Sequence, residues 1–119
     1  MHEYQINLES IVREVRDASS NVTTVILMTT IPVDDATHNS TEHLLKNGFK
    51  RYNKDVERYN DVMKRVAHDF NCPVIDLNKI SEPLIPKNVR DHVHLDPDGS
   101  LLLAKGIVKR LSALNVFEW

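Results

Sequence analysis

A run of nine residues, VTTVILMTT at positions 22–30, places the strongest constraint on how this chain can fold. The run is β-branched and apolar, without the alternation of a strand that faces water on one side. Continuous runs of this kind are typical of parallel sheets, where helices cover both faces. A second, shorter run, PVIDL at 73–77, has the same character. The two runs predict two buried parallel strands, and Pro32 ends the first of them.

Three other segments carry apolar side chains at helical spacing. The first covers residues 4–15, and the second covers residues 52–70 between the two strands. The third follows Asp96 and Pro97, which suit the N-cap and the first position of a helix. A strand, a helix and a second strand form a βαβ unit, which implies a right-handed crossover. The buried face of the third helix is predicted to consist of Leu101, Leu102, Ala104, Ile107, Val108, Leu111 and Leu114.

The polar stretches between these elements, 30–47 and 78–93, are predicted to be irregular loops. Residues 1–119 then make a single α/β domain of two parallel strands with three helices. A strand as apolar as 22–30 is typical of the centre of a larger sheet, but in a two-stranded sheet at least one of its edges would stay unpaired. The pattern is that of the second half of a doubly wound α/β domain. We therefore expect strand 22–29 to be an exposed edge through which the chain self-associates or binds a partner chain.

Charge and composition exclude several classes of function. The net charge is −2, which gives no general electrostatic reason to bind nucleic acid or an acidic membrane. No apolar run reaches the roughly 20 residues needed to span a bilayer. The N-terminal MHEYQINLES has no apolar core of the signal-peptide kind, so a cytoplasmic protein is expected. The single cysteine, Cys72, cannot form an internal disulfide.

The stretch RDHVHLDPDG at 90–99 concentrates titratable side chains. A calcium loop would need an acid at both ends, and this register places His94 and Lys105 there. Zinc would have only His92 and His94, without a spaced second pair of ligands. Neither a metal nor a cofactor is expected. Asp96 is explained as a helix cap, but that interpretation leaves His94 and the aspartate three residues before it unexplained.

Asp91 and His94 lie three residues apart, in the loop that follows the second predicted strand. This is the carboxyl edge of the sheet, where the active sites of open α/β folds gather. An aspartate can bind the Nδ1 proton of a histidine and leave Nε2 free as a general base toward a serine. Asp91 and His94 are therefore the candidate catalytic residues.

The segment DHVHLDPDGSLLLAKGIVKRL resembles the last block of the GDSL, or SGNH, esterases, where a D-x-x-H motif supplies the triad aspartate and histidine. The segments VTTVILMTTIPVDD and RYNKDVERYNDVMKRVAHDFNCPVIDL are similar, in order, to the isoamyl-acetate-hydrolysing branch of that family. His92 stands where relatives usually carry glycine. The resemblance implies a flavodoxin-like α/β/α sandwich of which this chain is the second half, and a small acyl ester as substrate.

The family's nucleophile lies in a G-D-S motif, and its oxyanion donors include a glycine and the asparagine of a G-x-N-D block. None of these motifs occurs in this chain. Three interpretations stay open, besides an unrelated enzyme that uses a loop serine. The chain is a C-terminal piece of an esterase, inactive alone; or a short protein completed by a partner chain that supplies the serine; or a non-enzymatic half-domain with a structural or binding role.

Overall fold

The computed structural model describes residues 1–115. The three predicted helices are present, and shorter helical segments lie in both stretches that were predicted to be loops. In chain order the elements are α1 (His2–Ala18), β1 (Leu27–Met28), α2 (Asp35–His38), α3 (Thr41–Asn47), α4 (Asn53–Asp69), β2 (Val74–Ile75), α5 (Leu77–Ser81), a 3₁₀ turn (Glu82–Leu84) and α6 (Pro97–Leu114).

The two strands are parallel, as predicted, with Leu27 opposite Val74 and Met28 opposite Ile75. The amide of Leu27 donates to the carbonyl of Pro73, and the amide of Thr29 donates to the carbonyl of Ile75. Within residues 1–115 each strand pairs only with the other. The predicted α/β class with a βαβ unit is therefore confirmed.

Helices cover both faces of this small sheet. A buried cluster formed by Val12, Met63, Val66 and their neighbours joins α1 and α4 to the sheet, and Val74 packs against it. Ile75 is also buried but lies outside that cluster, because successive strand residues point to opposite faces. On the second face α6 packs against β2 and α5. A Cβ atom on Gly106 of α6 would lie 2.6 Å from Ile80 Cγ2 of α5, so glycine permits this close approach.

The first strand is shorter than predicted. Only Leu27 and Met28 of the 22–30 run pair as strand, and Val22 at its start is 84% exposed. The rest of the run is not assigned to a strand within the described residues, and β2 is also only two residues long.

The two predicted loops contain helical turns that capping residues define. Asp34 accepts a hydrogen bond from the amide of Thr37 and begins α2, and Gly48, with φ at +69°, ends α3. Asp76 in the same way caps α5 through the amide of Lys79. These helices are short and were missed because they carry no long apolar stripe.

The prediction of a buried face on α6 is wrong for most of its members. Leu101, Leu102, Ala104 and Val108 are exposed, and Ile107, Leu111 and Leu114 are half-buried. Contacts with β2 and α5 cover only part of the apolar circumference of this helix. No helix within residues 1–115 is long and apolar enough to cross a membrane.

Candidate active site

Asp91 and His94 form a direct contact in a tight loop ahead of α6. We call residues 89–95 the dyad loop, since Val89 and Leu95 pair across it and the Arg90 amide donates to the His94 carbonyl at 3.0 Å. The Oδ2 atom of Asp91 lies 2.6 Å from Nδ1 of His94. The sequence-based expectation of an Asp–His contact at this place agrees with this geometry.

The second carboxylate oxygen of Asp91 is bound by the backbone of the same loop. Oδ1 accepts the amide of His94 at 2.6 Å and the amide of Val93 at 3.2 Å. The hydrogen bond from the His94 amide has the largest effect on the pKa of Asp91. Together with the His94 imidazole and the Val93 amide it outweighs the opposing effect of burial and lowers this pKa to about 2. Asp91 is therefore an anion at neutral pH.

An anionic Asp91 fixes the tautomer of His94. The carboxylate accepts a proton from Nδ1, so the lone pair of the neutral imidazole lies on Nε2. The His94 side chain is 66% exposed, and within residues 1–115 its Nε2 forms no hydrogen bond. Nε2 is thus available to take a proton from a group that approaches from solvent or from another part of the protein.

The end of the dyad loop is joined to α6 by Asp96. Its Oδ1 accepts the amide of Gly99 at 2.6 Å, and its own amide donates to the carbonyl of Asn88 at 2.8 Å. A Cβ atom on Gly99 would lie 2.8 Å from that carbonyl oxygen. The predicted N-cap role of Asp96 is confirmed, and this cap fixes the backbone where the dyad loop passes into α6.

Two asparagines of α4 hold the segment that leaves β1, and sequence reasoning missed both. Asn60 accepts the Thr30 amide at 2.8 Å and donates to the Thr30 carbonyl at 2.9 Å. Asn53 binds the amide and the carbonyl of Val33 in the same way, both at 2.8 Å. The signal was present as two Tyr-Asn pairs seven residues apart, which places both asparagines on one helix face.

A polar network joins the ends of the two strands. Thr29 donates to Asp76 Oδ1 at 2.9 Å and accepts the amide of Asn78 at 2.9 Å. Lys64 Nζ lies 2.7 Å from Asp76 Oδ2. Burial alone would raise the pKa of Asp76, but hydrogen bonds from Lys64, the Lys79 amide and Thr29 outweigh it and lower that pKa.

A cavity of about 360 Å³ opens beside the dyad. Its lining includes Asp91 and His94 from the dyad loop and His38 and His43 from α2 and α3. The His38 and His43 rings lie 4.0 Å apart, and His43 lies 5.2 Å from the ring of His92. Despite this group of histidines, no set of three or more His, Cys, Asp or Glu side chains within residues 1–115 is arranged to hold a metal ion.

Comparison with known proteins places the chain in a family. A family model described as GDSL-like lipase/acylhydrolase matches residues 1–107. A search of curated proteins found no match. The fold is similar to LAE5, an alpha/beta hydrolase enzyme from the metagenome of Lake Arreo, Spain, with a TM-score of 0.66 and 19% identity over 96% of this chain and 48% of that chain.

It is also similar to a variant of Axe2, an acetyl-xylooligosaccharide esterase from Geobacillus stearmophilus, with a TM-score of 0.64 and 23% identity over 99% of this chain and 48% of that chain. At these identities the likeness shows the fold alone, and the chain spans about half the length of both proteins. The family predicted from the ordered motifs is confirmed at this level. From the match over residues 1–107, we conclude that the chain belongs to the GDSL-like lipase/acylhydrolase family.

Proposed function

We propose that this chain supplies the general base and its orienting acid to a serine carboxylic-ester hydrolase. The observation that carries the proposal is the 2.6 Å contact between Asp91 Oδ2 and His94 Nδ1, with Nε2 left available. His94 would take the proton of a serine hydroxyl as that oxygen attacks the ester carbonyl. The same proton would then pass to the leaving alcohol, and water would release the acyl group by the reverse sequence.

The nucleophilic serine and the oxyanion donors would come from outside this chain. The chain has seven serines, none of them in a G-D-S context, and within residues 1–115 no serine hydroxyl forms a hydrogen bond with His94. A base and its partner without a nucleophile and an oxyanion hole cannot run acyl transfer at a useful rate. We propose that the chain is inactive alone and is completed by an N-terminal half, either on a longer polypeptide or on a partner chain.

The purified chain tests the first part of this proposal. It should hydrolyse p-nitrophenyl acetate no faster than free imidazole does, and a serine-directed phosphonate should leave it unlabelled. Stoichiometric labelling of one serine would show that this chain carries its own nucleophile, and the half-domain proposal would then be wrong.

Co-expression with an N-terminal half of a GDSL relative tests the second part. The complex should hydrolyse short acyl esters, and His94→Ala should reduce kcat by at least about 10²-fold, the lower bound for a positioned base. His68→Ala is the matched control, since that histidine lies on α4 and its side chain is 90% exposed. Equal loss in both variants would refute the assignment of His94.

The finer assignment to the isoamyl-acetate-hydrolysing branch is part of the same proposal. It is supported by the order of the motifs at 22–35, 51–77 and 91–111. The completed enzyme should hydrolyse isoamyl acetate faster than an ester of a long-chain fatty acid. The reverse preference would place the protein in another branch of the family.

A second candidate function is a non-enzymatic half-domain that binds a partner chain. It is favoured by exposed apolar side chains on β1 and α6, where Met28 is 42%, Leu101 55% and Val108 61% exposed. Apolar faces of this kind mark interaction sites or aggregation liabilities. Sedimentation at several concentrations should show self-association, whereas a concentration-independent monomer with a sharp unfolding transition would contradict an exposed interface.

A further inference from the structure

His92, between the two dyad residues, has a backbone conformation that side chains rarely adopt. Its φ is +68°, in the left-handed region that favours glycine. A residue with a Cβ atom pays a conformational cost there, so contacts elsewhere have to offset it. In this chain those contacts come from a different part of the fold.

Asp34, the residue that caps α2, approaches His92 with two of its groups. Its amide donates to the His92 carbonyl at 2.9 Å. Its Oδ2 lies 3.8 Å from His92 Nδ1, which makes an ion pair when His92 is protonated. The Asp34 side chain is only 15% exposed, and its other oxygen accepts the Thr37 amide at 3.4 Å. The hydrogen bond from the Thr37 amide of α2 therefore helps to fix the orientation of the Asp34 carboxylate.

The conformation of His92 decides where the next two amides point. The amides of Val93 and His94 both donate to Asp91 Oδ1, and their directions depend on the His92 dihedral angles. A change of His92 to ordinary extended or helical angles would turn them away from the carboxylate. Asp91 would then lose two of the three hydrogen bonds that hold it beside His94.

We propose that Asp34 is a positioning residue of the dyad, which keeps Asp91 against His94 Nδ1 by holding His92 in its left-handed conformation. The catalytic meaning of this inference rests on the proposed function, whereas its structural content does not. Asp34 lies more than fifty residues before the loop that it positions. Its role thus goes beyond the D-x-x-H motif itself.

The substitution Asp34→Asn tests the side-chain contact while it keeps the backbone amide and an oxygen for the α2 cap. The readout is the pKa of Asp91, followed by the ¹³C NMR shift of its carboxyl group. If the turn loosens, this pKa should rise from about 2 by at least about half a unit toward its ordinary value. Loss of a nearby negative charge would by itself lower the pKa of Asp91, so electrostatics alone has the opposite sign.

Two controls separate positioning from a general loss of structure. Asp35→Asn removes the neighbouring carboxylate of α2, which accepts the Asn53 amide at 3.1 Å and forms no hydrogen bond or ion pair with His92, and it should not raise the pKa of Asp91. In a His92→Gly background the left-handed turn needs no holding contact, so Asp34→Asn should no longer raise that pKa. An equal rise with Asp35→Asn, or an undiminished rise with glycine at 92, would overturn the proposal.

The ring of His43 is the competing contact, since it meets the His92 ring edge-on at 5.2 Å. If His43→Ala raises the pKa of Asp91 and Asp34→Asn does not, the histidine contact positions the loop and the proposal is wrong.

Activity gives an independent readout in the completed enzyme. Asp34→Asn should lower kcat several-fold with little change in KM, and His92→Gly should restore most of the loss. The pKa measurement needs no substrate, so a raised pKa in an enzyme without esterase activity would refute the proposed function alone. An unchanged pKa would refute the positioning role alone.

Discussion

The two hydrogen bonds between Asn60 and the backbone of Thr30 make the sharpest test of how the site is supported. Asn60 is 5% exposed, and its bonds measure 2.8 and 2.9 Å. Each buried hydrogen bond contributes about 1 kcal/mol, so Asn60→Ala removes about 2 kcal/mol. Alanine regains roughly 0.5 kcal/mol of helix propensity. In this variant the Thr30 carbonyl still accepts a hydrogen bond from Asn78 Nδ2 at 3.0 Å, which limits the loss of stability from its missing bond to Asn60.

We therefore expect Asn60→Ala to reduce the free energy of unfolding by about 1.5–2 kcal/mol. Asn60→Asp should cost more, because its second oxygen would face the Thr30 carbonyl in place of a donor. Urea unfolding followed by far-UV circular dichroism measures both, and the midpoint should fall by about 1 M for a small domain. Glu57→Ala, an exposed substitution on the same helix, is the control. The reasoning fails if Asn60→Ala matches Glu57→Ala, or if Asn60→Asp is the more stable of the two Asn60 variants.

Three further outcomes are expected. Hydrogen bonds lower the pKa of Asp91 to about 2, so its stabilising contribution is complete above about pH 4 and is lost as the pH falls toward 2. Urea titrations should show that the difference in free energy of unfolding between wild type and Asp91→Asn shrinks across that window. A constant difference would contradict this. Gly106→Ala should cost about 1–3 kcal/mol because its Cβ would lie 2.6 Å from Ile80 Cγ2, and about 1 kcal/mol of helix propensity offsets part of this. Thermal unfolding measures the net effect, and Ile80→Ala should relieve part of the loss. Thr29→Val should cost about 1–3 kcal/mol in the same assay, since it removes both hydrogen bonds at the buried Thr29 hydroxyl; a neutral effect would mean that Asp76 and Asn78 find other partners.

The sequence predicted the parts of the fold that depend on residue type and on the spacing of neighbouring residues. The apolar stripe of α4, the cap at Asp96 and the short D-x-x-H spacing each act within one or two turns of chain. The Asp91–His94 contact belongs to this group, because three residues separate the partners and the amides between them complete the turn. Such features were predictable from residue type and short spacing.

The features that the sequence did not predict lie in short segments or depend on distant residues. The short helices α2 and α3 are stabilised by caps at Asp34 and Gly48, while periodicity searches detect only longer apolar faces. The bonds from Asn60 to Thr30 join residues thirty positions apart. The helical period of α6 was predicted correctly, but its whole apolar face was expected to be buried. The described elements cover only one side of that helix, so the rest of the face is exposed.

The support of the dyad forms a continuous path from α4 to the loop. Asn60 and Asn53 fix the backbone of Thr30 and Val33, the next residue is Asp34, and Asp34 contacts His92. Nothing in this path involves a nucleophile, so the geometry of the pair is set before any serine approaches Nε2. The described residues therefore hold Asp91 against His94 Nδ1 without any contact from a serine. In the proposed hydrolase, the group brought to that nitrogen would therefore decide whether an ester is hydrolysed, without any rearrangement of Asp91 and His94.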